Sequence, residues 1–143
     1  LIYCDTSYLV RLYLAESGSD EVRELCNTGQ ICSADHAQAE VPAAIHRAFR
    51  EGRLDPTVFT ASLEQFASDQ GSELIKWLPF SSGLLAGMPA RFAQVPRTTF
   101  LRAADALHLA CAAEHGFTEI YSNDRHLLAA ARLFGLNPRN VIT

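Results

Sequence analysis

Asp5, Glu40, Asp105 and Asp124 are the residues of this chain whose type and placement suit chemistry. Asp5 directly follows the apolar run Leu1 to Cys4, and Asp124 follows the strand-like stretch Glu119 to Ser122 by one residue. Asp105 lies one turn inside a stretch that is apolar nearly all round, from Ala103 to Ala112. An unpaired carboxylate buried there costs several kcal/mol, so such a group is paired, protonated or bound to metal. Glu40 borders the apolar stripe of its own helix, flanked by Val41 and Ala44. Carboxylates gathered at one place repel and raise one another's pKa, and a divalent cation removes that cost. Hard oxygen donors favour Mg2+ or Mn2+. Each acid also has an ordinary structural role open to it. Asp5 and Asp124 suit helix caps, Asp105 suits an ion pair with Arg102 or His108, and Glu40 suits a solvated helix edge. The four acids span most of the chain, so spacing alone does not establish that they meet.

The elements that must position these acids alternate between strand and helix. Leu1 to Cys4 is a strand, and Asp5-Thr6-Ser7 supplies three good N-caps for a helix over Tyr8 to Leu14. Ser17 to Asp20 is a turn, with Ser19 capping a second helix through Leu25 and Cys26. Ile31 to Ser33 is a strand, followed from Asp35 by a helix with Ala37, Val41, Ala44, Ile45, Ala48 and Phe49 at helical spacing. Pro42 inside it predicts either a kink or a later start. Asp55-Pro56 starts a helix whose predicted buried stripe is Phe59, Leu63, Phe66 and Ala67, ending at Gly71. Leu74 to Phe80 is a strand, and Ser81-Ser82 caps a helix from Leu84 to about Ala93. Arg102 to His115 is a buried helix ended by Gly116, Glu119 to Ser122 is a strand, and Asp124 caps a helix running to Phe134 and closed by Gly135. Asn137-Pro138 is a turn, with Val141-Ile142 as a last strand. This order predicts a parallel sheet covered by helices on both faces. In such sheets ligands bind beyond the carboxyl ends of the strands, where Asp5 and Asp124 fall.

Composition narrows the function classes. A chain of 143 residues that is 48% hydrophobic and 20% charged suits one domain spanning residues 1–143, not a disordered segment. No run approaches the roughly 18 apolar residues of a membrane span. Leu1 to Leu14 lacks a basic leader and a small-residue cleavage site, so it does not read as a signal peptide. Cys4, Cys26, Cys32 and Cys111 have no zinc-ligand spacing and sit in apolar stretches, as buried free thiols do in a reducing cytoplasm. With a net charge of −4 and no basic tail, electrostatics does not announce a nucleic-acid binder. Lys76 is the only lysine among twelve basic residues, and arginine forms bidentate contacts with phosphate.

Four local motifs carry a resemblance. Tyr3-Cys4-Asp5-Thr6-Ser7-Tyr8-Leu9-Val10 resembles the opening strand and first acid of PIN domains, and Ala39-Glu40-Val41-Pro42-Ala43-Ala44 resembles their second acid motif. Leu101 to Ala110, around Asp105, resembles the third and is the most specific stretch. Ile120 to Ala131, around Asp124, resembles the fourth, and Gly135-Leu136 leads into a closing strand as in that family. Order, spacing and length all agree over essentially the whole chain. The resemblance implies a three-layer α/β/α fold with a central, mostly parallel sheet of four to five strands. It also implies metal-dependent RNA cleavage. The VapC-like members it is similar to are toxins of toxin–antitoxin pairs, which implies a small cognate antitoxin and a homodimer. Carried over by position, the acids are Asp5, Glu40, Asp105 and Asp124. Ser122 stands where a threonine is frequent, and with Thr6 it is a candidate to support the ligands by hydrogen bonds. Pro42 is not a usual feature of the second motif.

The chemistry so implied is hydrolysis assisted by Mg2+ or Mn2+, with Asp5 and Asp105 as direct ligands and Glu40 and Asp124 binding directly or through water. Arg11, Arg47, Arg102 and Arg125 neighbour the acid motifs and are the candidates to meet RNA phosphates. Three other readings compete with this one. An aspartyl-nucleophile phosphatase would want a second acid where Ser7 stands. A PIN scaffold that only binds RNA or a protein partner would not need all four acids. A structure-specific DNA nuclease would want clamp insertions that this short chain lacks. Leu9, Leu12, Tyr13 and Leu14 form an apolar first helix, with core as its default role and a dimer face or antitoxin groove as the alternatives.

Overall fold

The computed structural model describes residues 1–143. Strand β1 (Ile2–Tyr3) leads into helices α1 (Thr6–Val10) and α2 (Ser19–Cys26), and strand β2 (Ile31–Ala34) into α3 (Ala37–Arg50) and α4 (Pro56–Gln70). Strand β3 (Ile75–Leu78) is followed by α5 (Ser82–Ala86), α6 (Met88–Ala93) and α7 (Ala103–Glu114). Strand β4 (Glu119–Tyr121), helix α8 (Arg125–Ala130), a 3-10 turn (Ala131–Phe134) and strand β5 (Asn137–Arg139) complete the chain. No helix is long and apolar enough to cross a membrane.

β1, β2 and β3 pair in parallel with β2 in the middle, and β4 pairs in parallel with β5. A parallel bridge between Cys4 and Tyr121 joins the two sets, and the Asp5 N–H donates to the Tyr121 carbonyl at 3.0 Å. Across the sheet the order is therefore β3-β2-β1-β4-β5. The chain moves outward from β1 to β3, then returns to the centre at β4 and moves out the other way. That reversal between β1 and β4 is where open parallel sheets form their ligand crevice.

Strand side chains alternate between two cores, as the period of two requires. Tyr3, Cys32, Ala34, Leu78 and Ile120 pack with α7 and α8 on one face. Ile2, Cys4, Ile31 and Ile75 pack with α1, α3 and α4 on the other. The expected three-layer α/β/α arrangement with a parallel sheet is thus present. α7 is buried along most of its length because it lies against β2, β4 and α8, which accounts for its apolar circumference. All four cysteines are free thiols, and Cys26 alone is only partly buried.

Several element bounds differ from the sequence expectations. The first helix spans Thr6–Val10 rather than Tyr8 to Leu14. Beyond it Arg11, Leu12 and Tyr13 bond three residues back, at 3.0 Å each, because the Arg11 guanidinium takes the Ser7 carbonyl at 2.6 Å. Leu9 and Leu14 are core, and Leu12 and Tyr13 pack against it. Ser19 is the first residue of α2 rather than its cap, which is Gly18 with φ 88°. Helix α3 starts before Pro42 and runs through it. In α4 the buried positions are Ser62 and Phe66, whereas Ala67 is exposed. The predicted helix from Leu84 divides at Gly87, where Pro89 begins the new helix α6 because it has no N–H to continue the old one. Asn137-Pro138 is strand rather than turn: β5 is an edge strand, where a missing N–H is tolerated. Val141 and Ile142 fold half-buried over the α1 side of the sheet, outside any strand.

The Asp55 cap is as expected, its side chain accepting from the Val58 N–H at 2.9 Å ahead of Pro56. Asp55→Ala should cost roughly 1 kcal/mol by urea denaturation, the usual worth of an N-cap far from other contacts.

Candidate metal centre

Asp5 stands at the carboxyl end of β1 and caps α1. Its Oδ1 accepts from the Ser7 hydroxyl at 2.6 Å and from the Tyr8 N–H at 3.3 Å, and its Oδ2 accepts from the Ser122 hydroxyl at 2.6 Å. The residue is 4% exposed. Burial pushes its carboxyl above the ordinary range, against the pull of His108 and of these hydrogen bonds. Its hydrogen-bond donors are all neutral, so its charge has no bonded cation in the protein.

Asp124 divides its two oxygens between two tasks. Oδ1 caps α8, accepting from the N–H groups of His126 at 2.8 Å and Leu127 at 3.3 Å. Oδ2 meets Nη2 of Arg102 at 3.1 Å. The same guanidinium reaches Oδ2 of Asp105 through Nε at 3.4 Å. Asp105 occupies the first turn of α7 with 6% exposure. Burial, with the Asp124 charge adding to it, raises its carboxyl above the ordinary range despite Arg102. The ion pair foreseen for Asp105 therefore exists, and it is shared with Asp124.

Glu40 sits in the first turn of α3, opposite α1. Its Oε1 accepts from the Thr6 hydroxyl at 2.7 Å and lies 2.8 Å from Nε2 of His108 and 3.2 Å from Nε2 of His36. Burial is the largest single influence and raises its carboxyl, but the bonds from His108 and Thr6 and the two imidazoles together hold it below its ordinary value. His108 is itself fixed from behind, its Nδ1 lying 2.8 Å from the buried Tyr3 hydroxyl. The Glu40 carboxylate accepts from His108 Nε2–H, and the Tyr3 hydroxyl is able either to donate to Nδ1 or to accept from it. His36 lies below its ordinary pKa through burial and its proximity to His108.

All four acids line a single open cleft of about 470 Å³, together with Thr6 and His108. Ser122 lies behind them, fully buried, joining Asp5 to the N–H of Asp124 at 2.8 Å. Of the four arginines expected near phosphate, Arg11, Arg47 and Arg102 line the cleft and Arg125 does not. Arg53, which sequence reasoning missed, lines it as well. Also missed were Ser7, which bonds Asp5, and the imidazoles around Glu40. From the sequence His108 stood out only as a possible partner for Asp105, whereas the structure sets it against Glu40. The signal for His36 was its position four residues before Glu40, a spacing that shares one helix face.

Comparison with known proteins finds relatives of this fold. The profile of the PIN domain family matches residues 2–133. Three solved structures share the fold. VapC20 of Mycobacterium tuberculosis, described as a Sarcin-Ricin loop cleaving toxin, is 16% identical with a TM-score of 0.69, covering 91% of this chain and 95% of that one. VapBC2 from Rickettsia felis, bound to a DNA fragment from its promoter, is 14% identical with a TM-score of 0.65 over 98% of each chain. FitAB bound to an IR36 DNA fragment is 16% identical with a TM-score of 0.66, covering 99% and 95%. At such identities the likeness is one of fold. No curated protein matches the sequence.

Proposed function

Because this chain belongs to the PIN domain family, we propose that it is a divalent-metal-dependent endoribonuclease, one PIN domain over residues 1–143, acting as the toxin of a toxin–antitoxin pair. The observation that carries the reading is the convergence of Asp5, Glu40, Asp105 and Asp124 on one cleft at the strand-order reversal, with Asp5 buried among neutral donors. A buried carboxylate without a bonded cation fits a bound metal. The donor set is oxygen throughout, which suits Mg2+ or Mn2+. Asp5 and Asp105 are the proposed direct ligands, with Glu40 and Asp124 completing the set directly or through water. A divalent ion held there supplies Lewis acidity, acidifying water and neutralising charge on the phosphoryl oxygens.

The remaining roles belong to the chain. Ser7 and Ser122 fix both oxygens of Asp5, and Thr6 and His108 fix one oxygen of Glu40, so neither carboxylate must reorganise when substrate arrives. Arg11, Arg47, Arg53 and Arg102 line the same cleft and are placed to meet an RNA backbone. Arg125 lies outside the cleft lining and has no part in this reading. The VapBC2 and FitAB likenesses support a small antitoxin as partner. Homodimerisation and a cytoplasmic site of action belong to the same proposal.

The direct test is cleavage of a mixed RNA pool with Mn2+ or Mg2+ beside EDTA. Cutting in the metal lanes alone supports the reading, and intact RNA in every lane with folded protein and loaded metal overturns it. Thr6→Val should fold normally but weaken Mn2+ binding by about tenfold to a hundredfold, as loss of a ligand-orienting bond does. Isothermal titration would read that change without reference to RNA.

A further inference from the structure

We infer that His36, Glu40 and His108 form a second metal site, for a nitrogen-preferring transition ion of the Zn2+ class, sharing Glu40 with the acid cluster. One ring nitrogen of His36, one of His108 and a Glu40 carboxylate oxygen all lie within 4.8 Å of one another. Nε2 of His36 and Nε2 of His108 stand 3.2 and 2.8 Å from Glu40 Oε1. Zn–N and Zn–O bonds of about 2.0–2.2 Å set neighbouring ligand atoms of a tetrahedron about 3.3–3.6 Å apart. A small outward shift of the side chains therefore opens room for an ion among them.

Three further features suit a ligand set. His36 and Glu40 are four residues apart at the start of α3, which puts them on one helix face. The His36 and His108 rings sit with centroids 4.2 Å apart, and each has its Nε2 against the same Glu40 oxygen. With an ion on His108 Nε2 the ring proton sits on Nδ1 and donates to the Tyr3 hydroxyl oxygen at 2.8 Å, the kind of outer partner that fixes the ring of a ligating imidazole. The existing hydrogen bonds leave this cluster imperfectly satisfied. Thr6, His36 and His108 all crowd onto Oε1, His36 Nε2 also leans on the Ala104 carbonyl at 3.0 Å, and His36 Nδ1 is buried with no partner.

Ligand softness separates the two sites. Two imidazoles and one carboxylate favour Zn2+, Co2+ or Ni2+, whereas the all-oxygen cluster favours Mg2+ and Mn2+. Because Glu40 is common to both, filling the histidine site withdraws one acid from the other. Zn2+ then acts as an antagonist of the Mn2+-loaded protein, a consequence that rests on the proposed function while the site itself does not.

The test uses Co2+ as a visible stand-in for Zn2+ on the full chain stripped of metal by chelation. One equivalent of Co2+ should bind with the visible absorption of a nitrogen-ligated ion and be displaced by Zn2+. His36→Gln should weaken Co2+ binding roughly tenfold or more, and Asp105→Asn should change it by less than about twofold. In 15N-labelled protein, Zn2+ should shift the imidazole signals of His36 and His108 and spare those of His46, His115 and His126, a reading that needs no variant to fold. Equal Co2+ affinity in His36→Gln, or unmoved His36 and His108 signals at saturating Zn2+, overturns the site. Mn2+ titration of the same protein reports separately on the acid cluster, so either site can fail while the other stands.

Discussion

Asp105→Asn should reduce RNA cleavage by roughly a thousandfold or more, the scale on which one electrostatic contributor to an active site counts. The change is isosteric and removes one charge. Asp105 is 6% exposed in the first turn of α7, and its only strong partner is Arg102 at 3.4 Å. An asparagine oxygen can still accept from that guanidinium, so the side chain keeps its place. On the proposed reading, what is lost is an anionic ligand and, with it, charge that would hold a divalent ion near Asp5 and Asp124. The loss should appear in the chemical step while circular dichroism stays unchanged. Full cutting by the variant would mean that Asp105 lies outside the machinery or that a contaminant does the cutting. If wild-type protein binds RNA without cutting it, with Mn2+ shown to be bound, the scaffold reading replaces the nuclease one.

The parts of this site carried by local sequence were visible in advance. Asp5 and Asp124 follow strands and precede helices, and the structure shows both as caps. Cap and site member were posed as alternatives for Asp124, but its two oxygens divide the work: one caps α8, the other faces Arg102. The sheet and its helical layers followed from the alternation of apolar runs. The edges of elements did not, because they depend on side-chain competition. A guanidinium on the Ser7 carbonyl tightens the first helix, and edge position admits Pro138 to β5. The support of Glu40 was hidden for a different reason. His108 is 68 residues from Glu40, and Tyr3 is 105 residues from His108, so no periodicity announces either contact. For arginine, nearness in sequence to an acid and lining of the cleft are different things. Arg125 is next to Asp124, but adjacent residues on a helix face different ways. Arg53 borders no acid motif, yet it lines the cleft and pairs with Glu16 at 3.4 Å.

Binding of Mn2+ should stabilise the fold, and by more at pH 8 than at pH 5. Burial raises the carboxyls of Asp5 and Asp105, so between the ordinary carboxylate range and their raised values the folded chain holds protons that the unfolded chain has lost. Stability of the metal-free protein from these two groups is therefore greatest at low pH and falls as pH climbs through that window. His36, held low by burial, works the other way below its ordinary value, because there the unfolded chain binds the extra proton. Measuring each pH with and without metal removes most of that opposing contribution. A divalent ion takes the carboxylates without their protons, so its affinity climbs with pH over the window in which Asp5 and Asp105 would otherwise be protonated. At a hundred times its Kd it should add about 2.7 kcal/mol, on the order of 5–10 °C in Tm for a chain of this size. Scanning fluorimetry with Mn2+ or EDTA across that pH range reads the difference directly. Asp105→Asn should shrink the metal-dependent shift at every pH and flatten its slope, since one of the two proton-releasing ligands is gone. A shift of equal size at pH 5 and pH 8 would separate metal binding from these buried carboxylates. No shift at millimolar Mn2+ would leave Arg102, bridging Asp105 and Asp124, as the cation those two acids are built around.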